Sequence, residues 1–310
     1  MKLLIVGDLH LRTRTPARRT EPDFSAVCLN KLKQIIDLAD QDDSIVVQVG
    51  DFFDSADPSK ALVAAVIEAL NHGRYLDDSP PCWLAIHGQH DLQYHSDAAR
   101  QRSALRVLSA AQSVSLLDLE SDRCSGDVCF YGASFGQTPL RPTTVGFNVL
   151  VAHAMVGDKP LWPGQDLTGP EDYVKKHPGY DLYCLGDYHY PYSIRVGDAW
   201  VINAGCVLRL TADERDRTRR PKVVRFDTST RTPKDEYLAV TPEALAFDLD
   251  GYERDQQAQQ AKESFAAMAD VMKGKGLLGV NFKDNLVEAF DRLSTPESVR
   301  QKVWDCWQNL

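Results

Sequence analysis

The sequence lacks a long apolar run. None of the apolar stretches in its 310 residues approaches the roughly 18 residues that a helix needs to cross a bilayer. The N-terminal run at residues 3–6 is also shorter than the apolar part of a signal peptide, which takes about 7–15 residues. We therefore expect no membrane contact and no signal peptide, and we interpret this run as the first strand.

Paired cysteines are also lacking. The seven cysteines are scattered, odd in number and contain no C-x-x-C pair. That pattern favours reduced, mostly buried thiols, which are typical of a reducing compartment. We therefore expect a cytoplasmic location.

Basic residues are fewer than acidic residues, which gives a formal net charge of −9. An acidic balance argues against a nucleic-acid partner. Two features weaken that argument: divalent ions would offset carboxylates in a metal site, and the cations that exist are clustered. The alternative for each cluster is a set of solvated loop charges. The clusters are Arg12, Arg14, Arg18 and Arg19, and Arg215, Arg217, Arg219, Arg220, Lys222 and Arg225.

What the sequence does contain is typical of a globular α/β protein, with 43% hydrophobic and 25% charged residues. In the first third, apolar runs alternate with segments of helical periodicity, which is the pattern of βαβ units. After about residue 112 short strand-like runs dominate. We expect an α/β fold of two stacked mixed sheets flanked by helices, in four layers.

The C-terminal part has a different pattern. Residues 228–234 resemble a linker, so we place a catalytic domain at 1–230 and a helical region at 231–310. Residues 243–273 are predicted to be helical, followed by a break at residues 274–276. A last amphipathic segment covers 282–307 and is interrupted near Thr295 and Pro296. It either folds back on the core or docks a partner, with these apolar anchors: Leu286, Phe290, Leu293, Val303 and Trp307.

Five strand-like runs end in side chains of ligand type. The carboxyl ends of parallel strands meet at one edge of a sheet, so these side chains should come together. Carboxylate and carboxamide oxygens with imidazole nitrogens suit Mn, Fe or Zn better than Ca or Mg. Any one motif is weak, and the series of five is the signal. The motifs are Gly7-Asp8-Leu9-His10, Gly50-Asp51-Phe52-Phe53-Asp54, Gly88-Gln89-His90-Asp91, Ala152-His153 and Gly186-Asp187-Tyr188-His189.

This series resembles the calcineurin-like metallophosphoesterase superfamily, whose motif order is D-x-H, G-D-x-x-D, G-N-H-D, H and G-H-x-H. The sequence at residues 50–59 is similar to the SbcD type of DNA repair exonuclease. The sequence N-A-G-C-V-L-R at residues 203–209 resembles the N-P-G-S-x-x-R segment of that type. The resemblance covers about residues 1–227.

The resemblance implies a site with two divalent ions, with Mn²⁺ expected and Mg²⁺, Fe²⁺ or Zn²⁺ as alternatives. Two of the ligands depart from the family, since Gln89 replaces Asn and Asp187 replaces His. The resemblance implies that Asp51 bridges the ions and that the remaining ligands are Asp8, His10 and His189 for one ion and Gln89, His153 and Asp187 for the other. His90 would donate a proton or stabilise the transition state, oriented by Asp91. The expected substrate contacts are Arg12, Arg14, Asp54 and Arg209.

Together these expectations predict that the chain is a metal-dependent phosphodiesterase. The resemblance implies a 3′-to-5′ DNA exonuclease that can also have single-strand endonuclease activity. The resemblance further implies a homodimer and an SMC-like ATPase partner of SbcC type, bound through the C-terminal helices. Two alternatives stay open. One is a phosphatase or nucleotidase for a small substrate, and the other is a non-catalytic scaffold that has lost its metal chemistry.

Overall fold

The structure is a computed structural model that describes residues 1–72, 83–117, 123–162, 164–274 and 282–308. The Asp/Ser/Pro sequence at residues 77–81 predicts a turn, which lies outside this description. Residues 275–276 of the predicted helix break and the side chain of Trp307 also lie outside it. Within the described ranges, no helix is long and apolar enough to cross a membrane.

The first sheet is mixed. Its described strands β1, β2, β3 and β4 run parallel, and β11 and β12 add to it as an antiparallel hairpin beside β1. The spatial order is β12-β11-β1-β2-β3-β4. The strands are β1 (Lys2–Val6), β2 (Ile45–Gln48), β3 (Trp83–Ala85), β4 (Ser115–Leu116), β11 (Lys222–Asp227) and β12 (Thr232–Tyr237).

The second sheet is also mixed. Its four inner strands β6, β7, β8 and β10 run parallel, and the edge strands β5 and β9 are antiparallel to their neighbours. The spatial order is β5-β6-β7-β8-β10-β9. The strands are β5 (Arg123–Ser125), β6 (Val128–Ala133), β7 (Phe147–His153), β8 (Leu182–Gly186), β9 (Tyr192–Val196) and β10 (Ala199–Asn203).

The helices of the first half begin at the capping residues that their sequence offers. Asp23 and Ser59 accept main-chain hydrogen bonds at the starts of α1 and α2. The sequence pattern predicts a further helix capped by Ser96, but 3-10 turns (Asp97–Arg102) come first, and regular α-helix follows only after Ser103 caps α3. The helices are α1 (Phe24–Asp40), α2 (Lys60–Asn71), α3 (Ala104–Ala110), α4 (Pro170–Lys176), α5 (Glu214–Arg217), α6 (Glu243–Ala246), α7 (Leu249–Gly274), α8 (Phe282–Arg292) and α9 (Glu297–Gln308).

Side-chain alternation along the strands produces the layers. On β1, Leu4 faces a buried cluster shared with α1 and α2, whereas Leu3 faces a cluster shared with Val149 of the second sheet. The other face of the second sheet packs against α4, where Leu150 shares a cluster with Tyr173. The expectation of two stacked mixed sheets between helices is therefore confirmed.

The linker interpretation of residues 228–234 is wrong. These residues form the turn of the β11–β12 hairpin and the first part of β12, and Lys222 pairs with Tyr237 at its far end. Pro233 is tolerated there because an edge strand needs fewer of its N–H groups for the ladder. The first compact unit extends over Met1–Ala246 and the second over Phe247–Leu310, so the hairpin belongs to the first unit.

The second unit contains its own small apolar cluster. The expected interruption near Thr295 and Pro296 is confirmed, since α8 ends and α9 begins on either side of it. Leu286 and Phe290 of α8 pack with Val303 of α9 and are buried there. Three of the anchors predicted for a partner thus fill the contact between these two helices.

The cysteines only partly follow expectation. Cys28, Cys184 and Cys206 are free and buried. Cys124 and Cys129 form a disulfide, because the register of β5 against β6 places them directly opposite each other. The expectation of reduced thiols is wrong for this pair.

Candidate metal centre

The five predicted strand ends come together across the two sheets. His10 of the first sheet lies close to His189 of the second, with 3.1 Å between their Nε2 atoms. The Asp51 Oδ2 atom lies 3.5 Å from His153 Nε2. These contacts join the carboxyl ends of strands from separate sheets, as the parallel order requires.

Tight turns set the ligands at the strand ends. Asp51 and Asp187 have φ values of 50° and 79°, which non-glycine residues rarely adopt and which concentrate at functional sites. A Cβ atom on Gly88 would lie 2.1 Å from Asp51 Oδ1, and one on Gly50 would lie 2.4 Å from His153 Nδ1. Glycine is therefore required at both positions for the ligands to approach this closely.

Asp51 has the environment of a bridging ligand. It is fully buried, and its Oδ1 accepts a hydrogen bond from the main-chain N–H of His90 at 2.8 Å. Its Oδ2 accepts none from any described protein group, although His10 Nε2 lies 3.7 Å away. A buried carboxylate oxygen without a partner is costly unless a cation meets it.

Further ligand atoms in the centre are left without hydrogen bonds. His153 Nδ1 lies 2.7 Å from the Val49 carbonyl, to which it donates, so Nε2 is the ring nitrogen that faces the centre. His153 Nε2 and Gln89 Oε1 are both buried without a hydrogen-bond partner in the described chain. Imidazole nitrogen, carboxamide oxygen and carboxylate oxygen form a suitable donor set for divalent transition metals, so the residues present fit the ions.

The electrostatics of the centre favour positive charge. Burial raises the pKa of Asp8 to about 8, and the neighbouring Asp51 carboxylate adds to the rise. Burial alone would lower the pKa of His153, but the Asp51 carboxylate facing it raises that pKa to about 10. Either a proton on His153 or a bound cation can provide the charge that these carboxylates need.

The two family departures contact each other. Gln89 Nε2 donates to Asp187 Oδ1 at 2.8 Å. The main-chain N–H of Asp187 in turn points at the Asp8 carboxylate, 3.2 Å from Oδ2. The carboxamide of Gln89 and the carboxylate of Asp187 thus contact each other directly at this end of the centre.

His90 lies beside the predicted ions, but Asp91 does not orient its ring. His90 Nδ1 lies 3.0 Å from the main-chain carbonyl of Asp54. The Asp91 carboxylate instead accepts main-chain hydrogen bonds from Phe52, Phe53 and Gly88, at 3.0 Å from Phe53 and 2.9 Å from Gly88. Asp91 therefore ties together the two loops that carry Asp51 and His90, and the orienting role predicted for it falls to the Asp54 carbonyl.

The predicted substrate contacts separate into two groups. Arg12 Nη1 donates to Asp54 Oδ1 at 2.9 Å, and the same oxygen lies 3.6 Å from His10 Nδ1, so this pair borders the centre. Arg14 is exposed on the same loop. Arg209 is buried, and its guanidinium donates to the main-chain carbonyls of Arg217 and Thr241. Arg209 therefore stabilises the main chain at these two residues, and its contact with a substrate stays a prediction.

Sequence reasoning gave no role to Cys206, which the structure places at the centre. Its sulfur and one ring nitrogen each of His10 and His189 all lie within 4.8 Å of one another. The available signal was its position within the segment at residues 203–209, where it replaces the Ser of the N-P-G-S-x-x-R motif.

The comparison with protein families agrees with this geometry. Residues 1–191 match the model of the calcineurin-like phosphoesterases. The chain belongs to the calcineurin-like phosphoesterase family. Members of this family use divalent metals, and membership supports a hydrolase that acts on phosphoester bonds.

Individual relatives of this phosphoesterase are more distant. The DNA double-strand break repair protein Mre11 from Halobacterium salinarum is 27% identical over 244 residues, which are 74% of this chain and 58% of that protein. The chain thus spans less than two thirds of the length of this relative. Among solved structures, a novel archaeal phosphodiesterase is similar with a TM-score of 0.42 and 15% identity, over 77% of this chain and 100% of that one. A hypothetical protein from Pyrococcus horikoshii OT3 is similar with a TM-score of 0.39 and 12% identity, over 82% of this chain and 94% of that one.

Proposed function

We propose that this chain is a two-metal phosphodiesterase that degrades DNA from its ends. The observation that carries the proposal is the buried Oδ2 of Asp51, which faces His10 and His153 and has no hydrogen-bond donor in the described chain. An oxygen in that position suits a carboxylate that bridges two ions. The repair protein to which the chain is 27% identical supports DNA as the substrate.

The reaction needs such a centre because a phosphodiester resists attack. Its anionic oxygens repel hydroxide, and its leaving alkoxide is poor. Two ions about 3.5–4 Å apart, when bound, neutralise the phosphate, lower the pKa of a water and stabilise both oxygens of an in-line displacement. Asp8, His10 and His189 would hold one ion, and the other ligands would be Gln89, His153 and Asp187, with Asp51 shared.

His90 would act on the phosphate directly. Its Nδ1–H can donate to the Asp54 carbonyl at 3.0 Å, which holds the ring in place and leaves Nε2 for the substrate. From there it can hydrogen-bond a phosphate oxygen or protonate the leaving oxygen. Arg12, held by Asp54 at the border of the centre, and the exposed Arg14 would bind the neighbouring phosphates of a strand.

The second unit would bind a partner, and an SMC-like ATPase is the partner that the family resemblance implies. Because Leu286, Phe290 and Val303 are buried between α8 and α9, the docking anchors must be other side chains. Exposed apolar side chains remain at Phe265 of α7, at Val287 of α8 and at Leu293, directly after α8. A homodimer and the 3′-to-5′ polarity belong to the same proposal.

One assay separates the proposal from its alternatives. Linear duplex DNA, end-labelled on one strand, is incubated with the protein and Mn²⁺, beside reactions with nucleoside monophosphates. We expect progressive loss of DNA from its 3′ ends, abolished by a chelator and by Asp51→Asn. Asp57→Asn, an exposed carboxylate on the same loop, is the control and should keep the wild-type rate.

Two outcomes contradict the proposal. Release of phosphate from nucleoside monophosphates without DNA degradation indicates a small-substrate enzyme. Protein that binds no metal and hydrolyses neither substrate indicates a scaffold.

A further inference from the structure

The loop that carries Cys206 is fixed between two ligand segments. The Asn203 side chain accepts from Gly205 N at 2.7 Å and donates to the Tyr188 carbonyl at 2.6 Å. Cys206 N donates to the His189 carbonyl at 3.1 Å. The loop continues to the other ligand segment, where Val207 N donates to the Asp8 carbonyl at 3.0 Å.

Main-chain packing leaves this loop little freedom. Gly205 has a φ of 73°, and a Cβ atom placed on it would lie 2.6 Å from the His189 carbonyl oxygen. A Cβ atom on Gly7 would meet the Gly205 carbonyl oxygen at 1.9 Å. The position of the Cys206 sulfur is therefore set by the same main chain that sets Asp8 and His189.

The sulfur lies close enough to His10 and His189 to share an ion with them. Donor atoms around one tetrahedral ion, with metal–nitrogen bonds near 2.0 Å and metal–sulfur bonds near 2.3 Å, lie about 3.3–3.7 Å apart. The Cys206 sulfur and ring nitrogens of His10 and His189 lie within 4.8 Å of one another without an ion. The unpartnered, fully buried Oδ2 of Asp51 lies 3.7 Å from His10 Nε2 and marks the same place as a cation position.

We propose that Cys206 is a thiolate ligand of the ion that His10 and His189 hold. The proposal rests on the metal centre of the proposed function and adds one ligand to it. When the ion binds, the sulfur–metal bond forms and the thiol proton leaves to solvent. Thiolate is a soft ligand, so this position selects Zn²⁺, Fe²⁺ or Co²⁺ over Mn²⁺. The expectation of Mn²⁺ then applies only to the other position.

The alternative is a buried thiol that only packs, as Cys184 does. Cys184 is free and buried within an apolar cluster that contains Val149 and Ile202. It provides a matched control, because its replacement removes a buried thiol without touching the proposed ligands.

The test uses Co²⁺ as a spectroscopic probe on the full chain. Metal-free wild type, Cys206→Ser and Cys184→Ser are titrated with Co²⁺. Visible ligand-field bands report that Co²⁺ is bound, and a near-ultraviolet charge-transfer band reports a sulfur–cobalt bond. We expect ligand-field bands in all three proteins. The charge-transfer band should appear in wild type and Cys184→Ser and be lost in Cys206→Ser.

The outcomes separate this inference from the metal centre itself. Ligand-field bands without a charge-transfer band in wild type, or a charge-transfer band that survives in Cys206→Ser, overturn the assignment of Cys206 while the centre stands. No bands in any protein overturn both. If Cys206→Ser does not fold, X-ray absorption of wild type loaded with Zn²⁺ decides: a sulfur neighbour near 2.3 Å supports the ligand, and only nitrogen and oxygen neighbours overturn it.

Discussion

At the scale of single residues, the metal centre assigns distinct roles to side chains that are close in sequence. Asp51 has one oxygen held by the His90 main chain and one that no described protein group meets. Asp91 binds only main-chain N–H groups, so it supports the loops and leaves the chemistry to others. His90 is the remaining candidate for proton transfer, and that role can be separated from metal binding.

Replacing His90 should slow turnover without removing the ions. We expect His90→Ala to bind metal as wild type does and to lower the rate of phosphodiester hydrolysis by about 10²–10⁴-fold, the range for loss of a general acid or base. Metal content by mass spectrometry and the hydrolysis rate are measured together. His72→Ala, at an exposed histidine, should change neither. A loss of metal in His90→Ala would instead make His90 a ligand, since one of its ring nitrogens lies within 4.8 Å of a His10 ring nitrogen and an Asp51 carboxylate oxygen.

The contact between Gln89 and Asp187 predicts that their replacements are not additive. Gln89→Asn and Asp187→His each restore a family residue but break the 2.8 Å hydrogen bond between the two. Either single replacement already breaks this hydrogen bond. We therefore expect the loss of metal affinity in the double variant to be smaller than the sum of the losses in the two single variants. The coupling should be about 0.5–3 kcal/mol, as for other residues in contact. Metal titrations of the four proteins measure it, and additive values would show that the pair is not coupled.

At the scale of the elements, His87 connects β3 to its neighbours. Its main-chain N–H donates to Ser134 Oγ at 3.1 Å, and its Nε2 lies 2.8 Å from Ser103 Oγ. The Ser103 hydroxyl donates to the Arg100 carbonyl at 2.8 Å, so it accepts from His87 Nε2–H. This arrangement places a proton on Nε2 of the imidazole. Burial, together with the nearby Arg100, lowers the pKa of His87 to about 4.

The lowered pKa predicts that acid destabilises the fold. The unfolded chain binds a proton at His87 near pH 6.5 and the folded chain only near pH 4, so stability is lost as pH falls between these values. For His87 alone the loss from pH 7 to pH 5 is about 2 kcal/mol. Urea unfolding at both pH values should therefore show a smaller loss in His87→Gln than in wild type. His72→Gln is the control, and equal losses in all three proteins would contradict the assignment.

The elements also show what the sequence could and could not predict. Apolar runs that end in ligand-type residues predicted that Asp8, Asp51 and His153 would lie at buried strand ends, because burial and strand ends are marked locally in the sequence. The role of Asp91 and the place of Cys206 depend on how loops from separate strands meet, which no local pattern contains. The β11–β12 hairpin was missed because the polar residues around Pro233 look the same in a linker and in an edge strand.

At the scale of the whole molecule, the division between Ala246 and Phe247 predicts a stable truncation. The three large apolar clusters are formed entirely by residues of Met1–Ala246. We expect a chain ending at Ala246 to fold, to bind metal and to melt within about 10 °C of the full chain. Thermal melting of both proteins is the measurement. Aggregation, or a larger fall in melting temperature, would show that the C-terminal helices stabilise the catalytic unit. It would also remove support for a separate partner-binding role.

The most direct measurement of the central claim is anomalous X-ray diffraction from crystals soaked in Mn²⁺ or Co²⁺, whichever sustains hydrolysis better. We expect two anomalous peaks about 3.5–4 Å apart, one on each side of the Asp51 carboxylate. One peak should lie beside His10 and His189 and the other beside His153. In Asp51→Asn at least one of the two should be lost. A single peak, or none, in crystals of catalytically active wild-type protein would contradict a two-metal centre.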